Sequence, residues 1–207
     1  MVQYFINGGP FMWPILISLI FGLTFALERF YSLIMSSVNT QKFYEDMSDA
    51  LDKEGVDAAI DICNKTRGPV AEIFHAGLSR LHRGLDEVEK AVQNSASLEM
   101  SFLEKNMIWL NAVITIAPML GFTGTVAGMV SAFDAIAAAN DISPAVVAGG
   151  ISQALLTTAF GLIVAMIIQI FQNFFVSRID KLILDMEENS IKLLDQLYEI
   201  DAAKGKK

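Results

Sequence analysis

Three long apolar segments dominate the pattern of hydrophobic and polar positions along the chain. They occupy residues 10–34, 107–139 and 145–176, and each contains an uncharged stretch of 17 residues or more. About 20 predominantly apolar residues are needed for a helix to cross the hydrocarbon core of a bilayer. The pattern therefore predicts three transmembrane helices, of which the second and third exceed the length needed to span.

The regions between and after these segments are polar and repeat at helical spacing. Residues 35–106 carry apolar side chains every three or four positions, as does the segment 177–207. The runs in the insert are separated by helix breakers at Gly55, Gly68–Pro69 and Gly84. No breaker precedes Asn106, so the fourth insert helix is predicted to run straight into the second span. No segment alternates like a strand, and we predict an all-α membrane protein with three transmembrane helices, two of them long and extending into a cytoplasmic helical bundle.

Charge sets the predicted orientation. Hydrophobic residues make up 53% of the chain, and all 15 Lys and Arg lie at Arg29, in the insert or after Ser177. Because positive charge marks cytoplasmic loops, the insert 35–106 and the C-terminal segment 177–207 are predicted to be cytoplasmic. The N-terminal segment 1–9 and the turn 140–144 are then periplasmic. Glu28 and Arg29 close the first span, where we expect them to extend to the lipid headgroups as an interface anchor; a role in an ion path is the weaker alternative.

The second and third spans each carry a stripe of small residues, which permits close approach of another helix. The stripes comprise Gly121, Gly124 and Gly128 on the second span, and Gly150, Ala154 and Gly161 on the third. Pro118 removes one backbone donor and is expected to kink the second span. A bulky first span cannot satisfy both stripes within one subunit, so the pattern predicts a ring of copies with the first span outermost.

Hydroxyl groups lie at the same predicted depth on these two spans. A short turn makes the spans antiparallel, and helical rise then places Thr125 and Thr158 roughly 12 to 17 Å from the turn-side boundary. Thr157 and Gln153 share the region. Two interpretations stay open: the hydroxyls only bond their own backbone within a packed interface, or they line a shared polar path.

Other chemistry is sparse. Cys63 is the single cysteine, and His75 and His82 are too far apart along one helix to bind one metal ion together. We find no nucleophile–base pair and no phosphate-binding loop, so the sequence predicts no metal site, no cofactor and no enzyme. The long neutral segments argue against nucleic-acid binding.

Three stretches resemble the MotA/TolQ/ExbB proton channel family, and the ExbB/TolQ branch most closely. They are GGPFMWPILISLIFGLTFALERFYSL, APMLGFTGTVAGMVSAF and GGISQALLTTAFGLIVA. The flagellar branch usually has four spans and fits less well. The resemblance implies a multi-pass inner-membrane subunit of a proton motive force-driven complex, working with TonB-type partners in import or, as TolQ does, in envelope maintenance.

The resemblance also implies partners and residue roles. Five copies would surround two helices of an ExbD/TolR-like single-span subunit, whose membrane aspartate carries the proton past Thr125 and Thr158; a TonB- or TolA-like protein would take up the work. Gln153 stands where many members have Glu, and Gln cannot ionise, so any proton-transfer role of that position is in doubt. The alternatives are a non-conducting scaffold for a single-span partner and a flagellar or gliding stator subunit.

Overall fold

The computed structural model describes residues 2–36, 39–139 and 144–204, and these are almost entirely helical. The elements are α1 (Val2–Asn7), α2 (Met12–Ser36), α3 (Thr40–Lys53), α4 (Val56–Lys65), α5 (Pro69–Leu78), a 3₁₀ turn (Leu81–Arg83), α6 (Leu85–Glu104), α7 (Met107–Ala139) and α8 (Pro144–Lys204). No strand occurs within the described ranges. The all-α prediction is confirmed.

Three helices in the described part of the chain are long and apolar enough to cross a membrane, as predicted. They contain α2, α7 and α8, and α8 is a single helix of 61 residues. That is about three times the length that spans a bilayer. Most of the predicted turn 140–144 lies outside the described residues.

The chain divides into two compact units, the first made of residues 1–29 and 106–174. In this unit α2 packs against both α7 and α8 at Gly22. A Cβ atom built on Gly22 would lie 2.8 Å from Ile168 Cδ1 and 3.2 Å from Val113 Cγ1. The missing side chain therefore lets three helices meet, with Leu110 and Ala117 fully buried nearby along α7.

The second unit comprises residues 30–105 and 175–207 and has its own hydrophobic core. The largest fully buried side chains of this core are Met47, Ile73, Phe74, Phe175, Leu78, Val88, Met186 and Leu193. Gly77 admits Val92 and Leu193 to the centre of the core, because a Cβ at Gly77 would lie 2.8 Å from Val92 Cγ2. Tyr44 and Gln196 form a polar edge, where Gln196 Nε2 donates to Ser48 Oγ at 2.8 Å.

The predicted continuity of α6 and α7 is wrong. Lys105 is extended (φ −51°, ψ 138°), and Asn106 adopts a left-handed backbone (φ 66°). Asn is among the few residues that tolerate this conformation, since its short polar side chain can bond locally. Here Asn106 Nδ2 donates to Glu28 Oε2 at 3.2 Å. The two helices are therefore separate elements.

The third insert helix is also shorter than predicted. It ends at Leu78, Arg80 leaves helical dihedrals (φ −103°, ψ 3°), and a 3₁₀ turn leads to Gly84 at φ 101°. His75 therefore lies on α5 and His82 on the 3₁₀ turn, not on one helix as the sequence suggested. The side chain of His82 accepts a hydrogen bond from Arg83 Nε at 3.3 Å.

Candidate functional site

The backbones of α7 and α8 come into direct contact along the two stripes of small residues. A Cβ built on Gly150 would lie 2.5 Å from the carbonyl oxygen of Gly128, and one built on Gly128 would lie 2.7 Å from the carbonyl oxygen of Gly150. Distances below 3.0 Å are not tolerated by real Cβ atoms. Only glycine fits at these two positions.

The same contact recurs further along the helix pair. A Cβ on Gly161 would lie 2.6 Å from the carbonyl oxygen of Ala117, and one on Gly121 would lie 2.9 Å from that of Thr157. Gly121, Gly124, Gly128, Ala154 and Gly161 are buried, and Gly150 is half-buried.

The stripes therefore satisfy each other within one chain. Our expectation that they need a neighbouring copy overlooked this pairing, because it considered only the bulky first span as a partner. The stripes of small residues therefore do not require a ring of copies.

Thr157 is the side chain that fills the space over Gly124. It is fully buried (0% exposed), and a Cβ on Gly124 would lie 2.5 Å from Thr157 Oγ1. The hydroxyl donates to the carbonyl oxygens of Gln153 and Ala154, at 3.1 and 3.0 Å. Thr157 therefore packs the helix pair within this chain, and its place in a pore stays a prediction.

Thr158 forms a hydrogen bond between the two helices. Its Oγ1 donates to the carbonyl oxygen of Gly121 at 3.2 Å, and the residue is half-buried. Thr125 follows Gly121 by four residues, which is one helical turn or about 6 Å along the axis. The Oγ1 of Thr125 donates to the carbonyl oxygen of Phe122 at 2.6 Å. Two half-buried hydroxyls thus lie within about one turn of each other, one on each helix.

Pro118 lies inside α7 and is half-buried. Proline has no N–H to donate, so the carbonyl of Ile114, four residues earlier, loses its helical partner. This freed acceptor lies on the stretch of α7 that leads to Gly121 and Thr125.

Gln153 contacts the turn that precedes α2. A Cβ on Gly9 would lie 2.6 Å from Gln153 Nε2, and Gly9 has a left-handed backbone at φ 74°. Glycine is required there by conformation and by space. The half-buried amide of Gln153 therefore lies against the turn at Gly9, between α1 and α2, a contact that the sequence did not suggest.

Glu28 and Arg29 behave differently from each other. Arg29 is 2% exposed, and its Nε and Nη2 donate to Glu28 Oε2 and Oε1 at 2.7 and 2.6 Å. A buried guanidinium needs such pairing because desolvation of an unpaired charge is costly. Arg29 is enclosed by protein, so the prediction that both side chains extend to the headgroups is wrong for it. Glu28, with 45% of its side chain exposed, also accepts from Asn106.

Sequence reasoning missed a pair of amides at the Met107 end of α7. Gln172 Nε2 donates to Asn111 Oδ1, a short hydrogen bond between α8 and α7. Gln172 is buried, at 9% exposed, and its Oε1 has no hydrogen-bond partner within the described residues. A neutral polar residue on each of two apolar segments was the available signal.

Burial shifts the pKa of two groups in the second unit, Cys63 and Glu99. Burial raises the pKa of the Cys63 thiol to about 12, so the thiol stays protonated at neutral pH. Burial, and then the neighbouring Glu72 carboxylate, raises the pKa of Glu99. Within the described ranges, no three His, Cys, Asp or Glu side chains converge as metal ligands.

Comparison with known proteins shows that the chain matches a protein family. A model described as the MotA/TolQ/ExbB proton channel family matches residues 65–188, which include α5 to α7 and most of α8. A putative biopolymer transport protein ExbB homolog of Methanothermobacter thermautotrophicus is 33% identical over 180 residues, which are 86% of this chain and 64% of that protein.

Two further relatives carry related names. A putative biopolymer transport protein ExbB-like 1 of Synechocystis is 28% identical and aligns with 80% of this chain and 66% of its own length. The Tol-Pal system protein TolQ of Pseudomonas aeruginosa is 29% identical over 76% of this chain and 68% of its own. The chain thus spans just under two thirds of the length of the Methanothermobacter and ExbB-like 1 proteins.

Proposed function

The chain belongs to the MotA/TolQ/ExbB proton channel family, and from this premise we propose that it is an inner-membrane subunit of a complex that converts proton motive force into work at the cell envelope. The family match covers both helices that carry the hydroxyl pair of Thr125 and Thr158. In this proposal α2, α7 and α8 span the membrane, with residues 1–9 periplasmic and the second unit cytoplasmic.

The observation that carries the proposal is the bond between Thr158 and the carbonyl oxygen of Gly121. A hydroxyl in an apolar span is costly unless bonded, and such residues mark ion pathways. Thr158 is only half-buried in the single chain. Its hydroxyl can therefore accept a hydrogen bond from a water molecule or a partner group while it donates to Gly121.

The ionisable group must come from another chain. Residues 107–133 and 142–176 contain no titratable side chain, and Asp134, which lies between them, is exposed near the Ala139 end of α7. We therefore propose a single-span partner, resembling ExbD or TolR, whose membrane aspartate takes up and releases the proton beside Thr125 and Thr158.

Several copies of this chain would enclose the partner helices. Five is the number that the family resemblance suggests. Polar side chains exposed on α7 and α8 support such an enclosure, since Asn111, Thr115 and Asn173 are exposed and are costly against lipid. Gln153 then holds the turn at Gly9 against α8 rather than transferring a proton.

Proton flux in liposomes that contain this chain and its partner tests the proposal. Thr158→Val keeps the shape of the side chain and removes the hydroxyl. We expect flux to fall about tenfold, as loss of one hydrogen bond in the path costs on the order of 1–3 kcal/mol. Thr24→Val is the matched control, because Thr24 is exposed on α2 and donates only to the carbonyl oxygen of Ile20 in its own helix.

The same assay separates a conducting subunit from a passive scaffold. A scaffold would assemble with its partner and give no flux above that of protein-free liposomes in the unmodified complex. Flux that is equal in Thr158→Val and the unmodified complex would show conduction that does not use this hydroxyl. A TonB- or TolA-like recipient of the work is proposed from the names of the relatives and is tested by co-purification with the complex.

A further inference from the structure

The hydrogen bond between Gln172 and Asn111 leaves one buried polar atom of Gln172, its Oε1, without a partner among the described residues. Gln172 Nε2 donates to Asn111 Oδ1, while Gln172 Oε1 is fully buried. Turning both amides over exchanges their oxygen and nitrogen atoms, and one end of Gln172 is still bonded while the other is unsatisfied. The orphaned group is therefore a property of the position.

An unsatisfied buried amide is costly. Leaving a buried donor or acceptor unpaired costs free energy comparable to a lost hydrogen bond, and such groups in native proteins usually hold an ordered water molecule. The bond to Asn111 accounts for one end of the Gln172 amide, but the neighbouring buried side chains on α8, such as Ile168, are apolar and leave the other end without a partner among the described residues. A ligand bound at that end would satisfy it.

The chemistry of the position selects water as that ligand. A buried water needs two to four polar partners, and this pair offers the free end of Gln172 and the remaining hydrogen-bonding capacity of Asn111. A bare divalent cation requires about six oxygen ligands, many more than two neutral amides supply. An anion would meet no positive charge from α7 or from the adjoining part of α8, because no Lys or Arg occurs between Asn106 and Ser177, and the Arg29 guanidinium of α2 is already paired with Glu28.

The surroundings of the pair are polar. Asn111 is exposed in the single chain and lies four residues, or about 6 Å, from the first residue of α7. Thr115, one helical turn from Asn111, is also exposed, and Gln169 Nε2 donates to Asn173 Oδ1 at 2.8 Å on α8. In a complex that encloses this face, a water molecule at Gln172 can exchange with the enclosed water.

We propose that Gln172 and Asn111 bind an ordered water molecule, and that this water belongs to a chain of waters that connects the ion path to the cytoplasmic side. The connecting role rests on the proposed function, whereas the binding of water does not. Thr125 lies 14 residues, or about 21 Å, from Asn111 along α7. Residues 107–133 and 142–176 contain no titratable side chain. Unless a group of the partner carries it, a proton that crosses this distance therefore moves along water molecules.

Water-edited solid-state NMR of the full chain in phospholipid liposomes tests the binding. With ¹⁵N-labelled glutamine, the Gln172 side-chain signal is identified by its loss in Gln172→Met. We expect it to receive water magnetisation as fast as the exposed side chain of Gln93, which lies on α6. Build-up as slow as that of the helical backbone N–H of Gln172 would overturn the proposal, since the amide would be dry.

Proton flux through the complex with its partner tests the connecting role. Gln172→Met should lower flux about tenfold, equivalent to about 1.4 kcal/mol, while the control Gln93→Met should not change it. Rapid water transfer with unchanged flux in Gln172→Met would overturn the connecting role. If the unmodified complex shows no flux, the proposed function fails, and the NMR result still decides whether the water is bound.

Discussion

Gly150 and Gly149 are adjacent on α8 and offer a direct measurement of how closely α7 and α8 approach. A Cβ on Gly150 would lie 2.5 Å from the carbonyl oxygen of Gly128 and 2.8 Å from the backbone nitrogen of Ala132. A Cβ on Gly149 would meet nothing within 4 Å. Gly150→Ala and Gly149→Ala therefore make the same chemical change on two different faces of one helix, about 100° apart.

The structure sets the size of the expected effect. Ordinary contact begins at 3.4 Å, so the backbones must separate by about 0.9 Å (3.4 − 2.5) to admit the new methyl group. Overpacking of this kind typically costs about 1–3 kcal/mol. Replacing a helical glycine by alanine gains about 0.5–1 kcal/mol through backbone entropy. Because both variants share that gain, the difference between them reports the overpacking alone.

Equilibrium unfolding of the purified chain in mixed detergent micelles measures the difference. We expect Gly150→Ala to be less stable than Gly149→Ala by about 1–3 kcal/mol. Ala132→Gly in the Gly150→Ala background should restore only part of the loss, since it removes the 2.8 Å contact with Ala132 Cβ but not the 2.5 Å contact with Gly128. Equal stability of the two single variants would refute direct backbone contact of α7 and α8.

Further predictions concern Asn106, Thr157 and Cys63. Asn106→Ala should lower the free energy of unfolding by about 1–2 kcal/mol, the cost of a left-handed backbone, and Asn106→Gly should lower it less; equal losses would contradict the conformational argument. Thr157→Val should leave proton flux unchanged, since its hydroxyl bonds only its own helix in the described structure, and a fall like that of Thr158→Val would return Thr157 to the path. Cys63 has a pKa raised from 9.0 to about 12 by burial, so the native thiol should resist maleimide at pH 8 and react once unfolded. Because the unfolded thiol loses its proton first, the stability that Cys63 contributes should be complete below pH 9 and decline from about pH 9 to 12, as pH-dependent unfolding of the chain and of Cys63→Ala would reveal.

The fold class follows from the sequence because apolar length and helical spacing are properties of each segment alone. The pairing of α7 with α8 does not follow in the same way. Periodicity identifies Gly121, Gly128 and Gly150 as a surface for close packing, but it cannot say which surface they meet. We compared the stripes with the first span and not with each other, and so inferred a neighbouring copy that the contact does not need.

The remaining differences between the predicted and the observed structure occur at a few polar residues. The absence of a helix breaker before Asn106 predicts a continuous helix, and only the backbone reveals the left-handed conformation of this residue. Arg29 was assigned to the headgroups because the sequence does not show that Glu28 neutralises it in place. Asn111 and Gln172 were absorbed into apolar spans, since one neutral amide hardly alters a hydropathy window. For Asn106 the deciding fact is a single pair of dihedral angles, for Arg29 it is burial beside its sequence neighbour Glu28, and for Asn111 and Gln172 it is a contact between residues distant in sequence.

Assembly therefore has to use surfaces other than the glycine stripes. With the stripes buried inside one chain, the exposed surface of α7 has an apolar and a polar part. Phe122, Val126 and Phe133 are well suited to lipid or to another copy, at 68%, 52% and 63% exposed. Asn111 and Thr115 are also exposed in the described chain, and their polar side chains are better suited to water than to lipid. Asn111, Thr115 and Phe122 follow one another at intervals of four and seven residues and share one face of α7. A ring that turns Asn111 inward therefore turns Phe122 inward as well, whereas a monomer would leave Asn111 facing lipid at a cost of the kind that membrane helices avoid.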